Sequence, residues 1–136
     1  MVGCLHAEQR RLDVLPAEVR DLILNCCIDS VESIEILLLL RRSEAYWSSE
    51  AVAQRLGIAK QVAATKLDAL ARGGLLLVGG DTGAYRYAPK RDVSRDAVDK
   101  LVAAYEEQRI AVINTIYSAN LQRLRAFSNA FKLTKE

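Results

Sequence analysis

The sequence is poor in the residues from which most catalytic and metal sites are built. Its 136 residues contain one histidine, His6. A Ser-His-Asp or Cys-His relay would have to assemble around that imidazole, and no such arrangement is available in the remaining sequence. GxGxxG and Walker-type phosphate loops are missing as well. The glycine-rich run Gly79-Gly80-Asp81-Thr82-Gly83 fits a hairpin turn instead, because no helix follows closely enough to aim its N-terminus at a phosphate. Catalysis is not expected. Cysteine is scarce too: Cys4, Cys26 and Cys27 are an odd set with an adjacent pair that cannot easily bridge itself, which points to thiols rather than a disulfide framework. Together with His6 they match no compact ligand spacing, so burial as small apolar side chains is expected for Cys26 and Cys27, with no metal and no cofactor. No long apolar run exists. The longest aliphatic stretch, Ile36 to Leu40, is far short of the roughly 20 residues that span a bilayer. The opening MVGCLHAEQRRLDVL carries charges where a secretory signal needs an apolar core, so a cytoplasmic protein without membrane contact is expected. Internal repeats and low-complexity tracts are absent.

What is present is an ordinary globular composition, 51% hydrophobic and 26% charged, in a chain long enough for one core. Residues 1–14 show no clean period and are expected to form a flexible tail. Pro16 suits a first helical turn, and Val19, Leu22, Ile23 and Cys26 then recur at helical spacing, predicting a leading helix over about 16–27. Asp29 and Ser30 are both good caps, and Glu32 three residues after Asp29 makes a capping-box-like pair ahead of a second helix that runs to about Arg42. Apolar residues at Ile34, Ile36, Leu37, Leu38, Leu39 and Leu40 spread too widely for one-sided burial and place this helix centrally.

Ser48 or Ser49 caps a short helix with Val52 and Leu56 inward, and Gly57 supplies a reversal. The next helix starts near Ala59. Ala63, Leu67 and Leu70 share its inner face, while Gln61, Thr65, Asp68 and Arg72 come round on the other. Gly73-Gly74 end it, Leu75 to Val78 read as a buried strand, and the glycine turn leads to Tyr85-Arg86-Tyr87, a two-stranded hairpin stopped by Pro89. Leu38, Val52, Leu56, Leu67, Leu70 and Leu75 are the expected central core. From about Val93 a long helix carries Val98, Leu101, Tyr105, Val112 and Ile116 in an apolar stripe, Ser118-Ala119-Asn120 is a plausible break, and a last helix holds Leu121, Leu124, Phe127 and Phe131.

This order of helix, short helix, glycine turn, helix, strand, glycine-rich loop and strand resembles the winged helix-turn-helix fold of MarR-like bacterial transcriptional regulators, over roughly residues 31–90. Trp47 to Ile58 looks like the first helix and turn of the motif, and Leu67 to Leu76 like the end of a recognition helix entering a wing strand. The resemblance implies a mainly α fold with a small β-hairpin wing and with extra N-terminal and long C-terminal helices. It divides the chain into a winged domain with its leading helix at 15–91 and a C-terminal helical dimerisation region at 92–136. Its implied partner is double-stranded DNA, met by a homodimer; the apolar stripe of Val98, Leu101, Tyr105, Val112 and Ile116 exceeds what a winged helix needs, so these residues, with the 16–27 helix, are expected to form the dimer contact. It also implies an architectural ion pair between Asp68 and the wing residue Arg86.

The residues themselves leave two functions open. Between Ala59 and Arg91 six basic residues (Lys60, Lys66, Arg72, Arg86, Lys90, Arg91) stand against Asp68 and Asp81, an excess of four positive charges in a chain whose net charge is only +2. That asymmetry favours nucleic acid. Lys60, Gln61, Thr65, Arg72 and Arg86 are the expected DNA contacts. Against this, Val62, Ala63, Ala64 and Ala69 stand where strong readers carry Arg, Asn or Gln, and the turn bears Asp81 where a phosphate-binding wing carries Lys or Arg. A protein-interaction module without sequence-specific DNA binding is the alternative.

Overall fold

The computed structural model describes residues 15–26 and 28–135, with side chains as far as Ser128. Cys4, His6, Cys27 and the expected flexible tail at 1–14 lie outside the described residues. Helix α1 spans Ala17–Asn25, behind Pro16 at its N-cap. Helix α2 spans Val31–Ser43, and the Ser30 hydroxyl accepts from the Ser33 amide at its start. Ser30, not Asp29, is therefore the cap, and Glu32 is one residue too early to close the box. Helix α3 spans Ser49–Leu56 and α4 spans Lys60–Arg72. Ser48 caps α3 by accepting from the Ala51 amide, and Gly57 ends it at φ +69, a left-handed conformation that a side chain would strain.

Strands β1, Leu76–Val78, and β2, Tyr85–Tyr87, pair antiparallel with Leu76 opposite Tyr87 and Val78 opposite Tyr85. The Trp47 and Tyr85 backbones exchange hydrogen bonds of 2.7 and 2.8 Å, adding a single bridge on the far side of β2. The hairpin is buried at its start and at Ala84 beside the turn. Leu75 and Leu76 are inside, but Leu77 and Val78 are each 48% exposed, so the expected buried strand is half wrong: two strands alone cannot cover both faces of β1. The architecture is mainly helical with one small antiparallel hairpin.

Helix α5 covers Asp92–Glu107 and α6 covers Arg109–Lys135. The break falls at Gln108 (φ −134, ψ 52), and the helix runs unbroken through Ser118-Ala119-Asn120. Ala119 is buried and the Asn120 amide donates to the Asp29 carbonyl at 3.0 Å, so those small residues serve packing and docking rather than a kink.

One core joins all parts. Val19, Leu22 and Ile23 of α1, Ile34, Ile36, Leu37 and Leu40 of α2, and Ala63, Leu67 and Leu70 of α4 share a cluster with residues of α5 and α6. Of the six expected central residues, Leu38 and Leu56 are only partly buried, because each sits at the edge of its helix's inward face. A larger correction concerns dimerisation. Val98, Leu101, Tyr105, Val112 and Ile116 are buried inside the single chain, where α1 packs on both α5 and α6, so they do not present a surface to a second copy. From Ala97 to Ala119, α5 and α6 complete the core of the preceding helices rather than standing apart from it.

Candidate nucleic-acid interface

Helix α4 turns Ala63, Leu67 and Leu70 into the core, which by helical geometry carries Gln61, Thr65 and Arg72 outward, while Lys60 is exposed as the first residue of the helix. Its N-cap Ala59 has no side chain able to accept a hydrogen bond, so the first amides of α4 are left without a side-chain cap beside Lys60. The Thr65 hydroxyl donates to the Gln61 carbonyl at 2.9 Å. With its proton engaged, Thr65 can offer an approaching base edge only an acceptor.

The expected Asp68–Arg86 pair does not form. Asp68 pairs with Arg72 one turn away at 2.5 Å, while the Arg86 guanidinium lies 6.0 Å from the centre of the Tyr46 ring. The (i, i+4) partner is held by the same helix and needs no placement of the hairpin, which is why it prevails. Arg72 is thereby partly neutralised as a DNA contact. Lys66 is engaged as well: its ammonium meets the Asp29 carboxylate at 2.8 Å. Among the described residues of the basic segment, Lys60, Arg86, Lys90 and Arg91 have no ion-pair partner.

Asp29 is the residue that sequence reasoning missed. Its carboxylate accepts from Lys66 and, at 3.3 Å, from the Ser33 hydroxyl, while its backbone carbonyl receives Asn120. Partial burial pushes the carboxyl up, but the Lys66 hydrogen bond and charge, with the Ser33 hydroxyl, outweigh it and hold the group below the ordinary carboxylate value. A depressed carboxylate contributes stability that is fully present above the unfolded value of about 3.9 and is lost as pH falls through the lower folded value. Asp29→Asn is therefore expected to destabilise at neutral pH and to match the parent progressively on acidification below that value, as measured by urea midpoints over a pH series.

Beside α4 the hairpin presents apolar surface. Tyr46, like Leu77 and Val78, is 48% exposed, and a Cβ at Gly79 would approach the Tyr46 ring to 3.1 Å, so the ring lies against the turn. The adjacent aromatics Tyr46-Trp47 ahead of a serine cap were the one signal for this bridge. Trp47 is fixed by its indole N–H donating to the Ser43 hydroxyl at 2.7 Å. A groove of about 940 Å³, open to solvent, lies at the α5–α6 junction, where Leu15, Arg20, Glu106, Arg109 and Asn114 contribute, and it shares no residue with α4 or the hairpin.

Cys26 is half-buried, and its thiol donates to the Gly73 carbonyl at 3.4 Å. Among the described residues no group of three His, Cys, Asp or Glu side chains is placed to hold a metal, and no helix is long and apolar enough to cross a membrane. Comparison with family models, characterised proteins and solved structures finds no match to this chain.

Proposed function

We propose that this chain is a DNA-binding transcriptional regulator that uses α3, the Gly57 turn and α4 as a helix-turn-helix, uses the β1–β2 hairpin as a wing, and works as a homodimer. The observation that carries this reading is the two-sidedness of α4: an inner face locked into the core and an outer face bearing Gln61 and Thr65, with Lys60 exposed at its first turn, next to a hairpin that bears Arg86 and is followed by Lys90 and Arg91. Such a helix can enter a major groove while the hairpin's cations meet flanking phosphates.

A salt titration of fluorescence anisotropy, with random duplex and genomic fragments, tests it. Binding should fall steeply with salt, with some fragments retained longest. Lys60→Ala should weaken all duplexes alike and lower the salt slope by about one. Replacing Gln61 and Thr65 together by Ala should relax sequence preference by about 1–3 kcal/mol per lost base contact. No binding to any duplex at low salt would overturn the proposal.

In that event a protein-interaction module is the second reading. It is favoured by the exposed Tyr46, Leu77 and Val78 beside α4 and by Asp81 in the wing turn, where the charge repels phosphate.

A further inference from the structure

The outward face of α6 carries a second apolar stripe that the core does not use. Ile110 is 75% exposed, Tyr117 66% and Leu124 63%, at intervals of seven residues, with Ile113 and Leu121 between them. Seven-residue spacing on a helix of 27 residues gives a seam of period 3.5, the pattern by which two helices pair side by side. The long apolar helices of the sequence thus have two faces: Val112, Ile116 and Ala119 turn into the chain's own core, and this stripe turns away from it.

We propose that the stripe is covered by the same stripe of a second copy, the two α6 helices running antiparallel about a two-fold axis between Ser118 and Ala119. Three observations select this occupant. The order of apolar positions is self-complementary: reversing the helix about that axis sets Ile110 opposite Phe127, Ile113 opposite Leu124, and Tyr117 opposite the turn of Asn120 and Leu121. A two-fold contact demands such reciprocity, each residue meeting the counterpart of the one that meets it.

Charge selects the direction. From Arg109 to Lys135 α6 contains no acidic residue, whereas α5 ends in the exposed pair Glu106-Glu107. Antiparallel pairing brings those acids to the far, acid-free half of the second copy's α6, beyond Arg123 and Arg125, while parallel pairing would set acid against acid. From Ile110 to Phe127 six large apolar side chains on this one helix are each more than a third exposed, a contiguous surface of the kind that marks a contact with another protein rather than scattered single residues.

The inference supplies the contact surface for the homodimer in the proposed function, in place of the five residues that proved internal, and it is tested without DNA. Sedimentation equilibrium of the full chain at tens of micromolar should give roughly twice the 15.1 kDa of one chain. Ile113→Lys and Leu124→Glu, both at exposed positions, should each keep the parent's helical circular dichroism and raise the dimer dissociation constant by about 100-fold or more, since each buries an unpaired charge twice. Mixing the two variants should restore the dimer, because the antiparallel seam then juxtaposes Lys with Glu at one crossing and leaves Ile113 on Leu124 at the other. A parallel seam sets each substituted residue against an apolar one and gives no rescue. A monomeric parent, or variants that fail to rescue one another, overturns the proposal. DNA binding by a monomeric parent would overturn it while leaving the DNA-reading role of α4 intact.

Discussion

Leu67→Ala is expected to lower stability by about 2–5 kcal/mol, read as a fall in the urea midpoint at unchanged slope. Leu67 is fully buried on the inner face of α4, which packs on both α2 and α3. Removing three carbons there leaves a void that rigid helices on two sides cannot close, so a cavity cost adds to the lost transfer energy. Leu56→Ala supplies the control. That leucine is only partly buried at the end of α3, and its truncation should cost clearly less. An unchanged midpoint in Leu67→Ala would mean that α4 does not present this face to the core.

Arg123→Met should be the most damaging polar substitution, at about 1.5–3 kcal/mol, the range for hydrogen bonds to charged groups. The Arg123 guanidinium donates to the Ile23 carbonyl at 2.5 Å and the Leu24 carbonyl at 3.0 Å, and also to the Asn120 side chain at 2.6 Å. Ile23 and Leu24 belong to the last turn of α1, whose carbonyls have no partners within the helix and where no basic residue of α1 itself is placed. Arg123 is thus a C-terminal cap supplied from a hundred residues away in the chain. Methionine keeps the aliphatic stem and removes the donors. Lysine should restore only part of the loss, because its ammonium cannot span two carbonyls with a planar fork. Amide hydrogen exchange should localise the change to α1, and protection there equal to the parent's would refute the capping role.

Contacts set by local period were legible in the sequence. Ala63, Leu67 and Leu70 fall three and four apart, so their shared burial follows from helical geometry alone, and Gly57 and Ser48 are punctuation that few other residues provide. Contacts that depend on which element lies where were not. Asp68 had two arginines within plausible reach, and only the placement of the hairpin relative to α4 excludes Arg86. The C-terminal helix is apolar on two faces, and a stripe does not state whether its own chain or another covers it. Val98, Leu101, Tyr105, Val112 and Ile116 read equally well as a dimer face or as core, and only the packing of α1 on α5 and α6 puts them inside the chain. At the candidate site Gln61 and Thr65 are exposed on the face opposite Ala63, Leu67 and Leu70, as their spacing dictates, and Lys60 is exposed at the start of the helix. The engagement of Lys66 by Asp29 did not emerge, because thirty-seven residues separate the pair.

Asp29 also links two helices beyond the shared core, and its own contacts bound what it can relay between them. It holds α6 through its carbonyl and α4 through its carboxylate, so a change in the seating of one helix is felt at the other, and by thermodynamic reciprocity the influence is equal in both directions. The strength of that link cannot exceed its weaker member. With the Lys66 side chain 18% and the Asp29 side chain 44% exposed, this partly buried pair is worth on the order of 1 kcal/mol, so occupancy of the α6 stripe can change the affinity of the α4 face through this residue by roughly fivefold. A larger response of DNA binding to pairing would have to come from avidity, two reading helices held at a fixed separation, rather than from any rearrangement transmitted through Asp29.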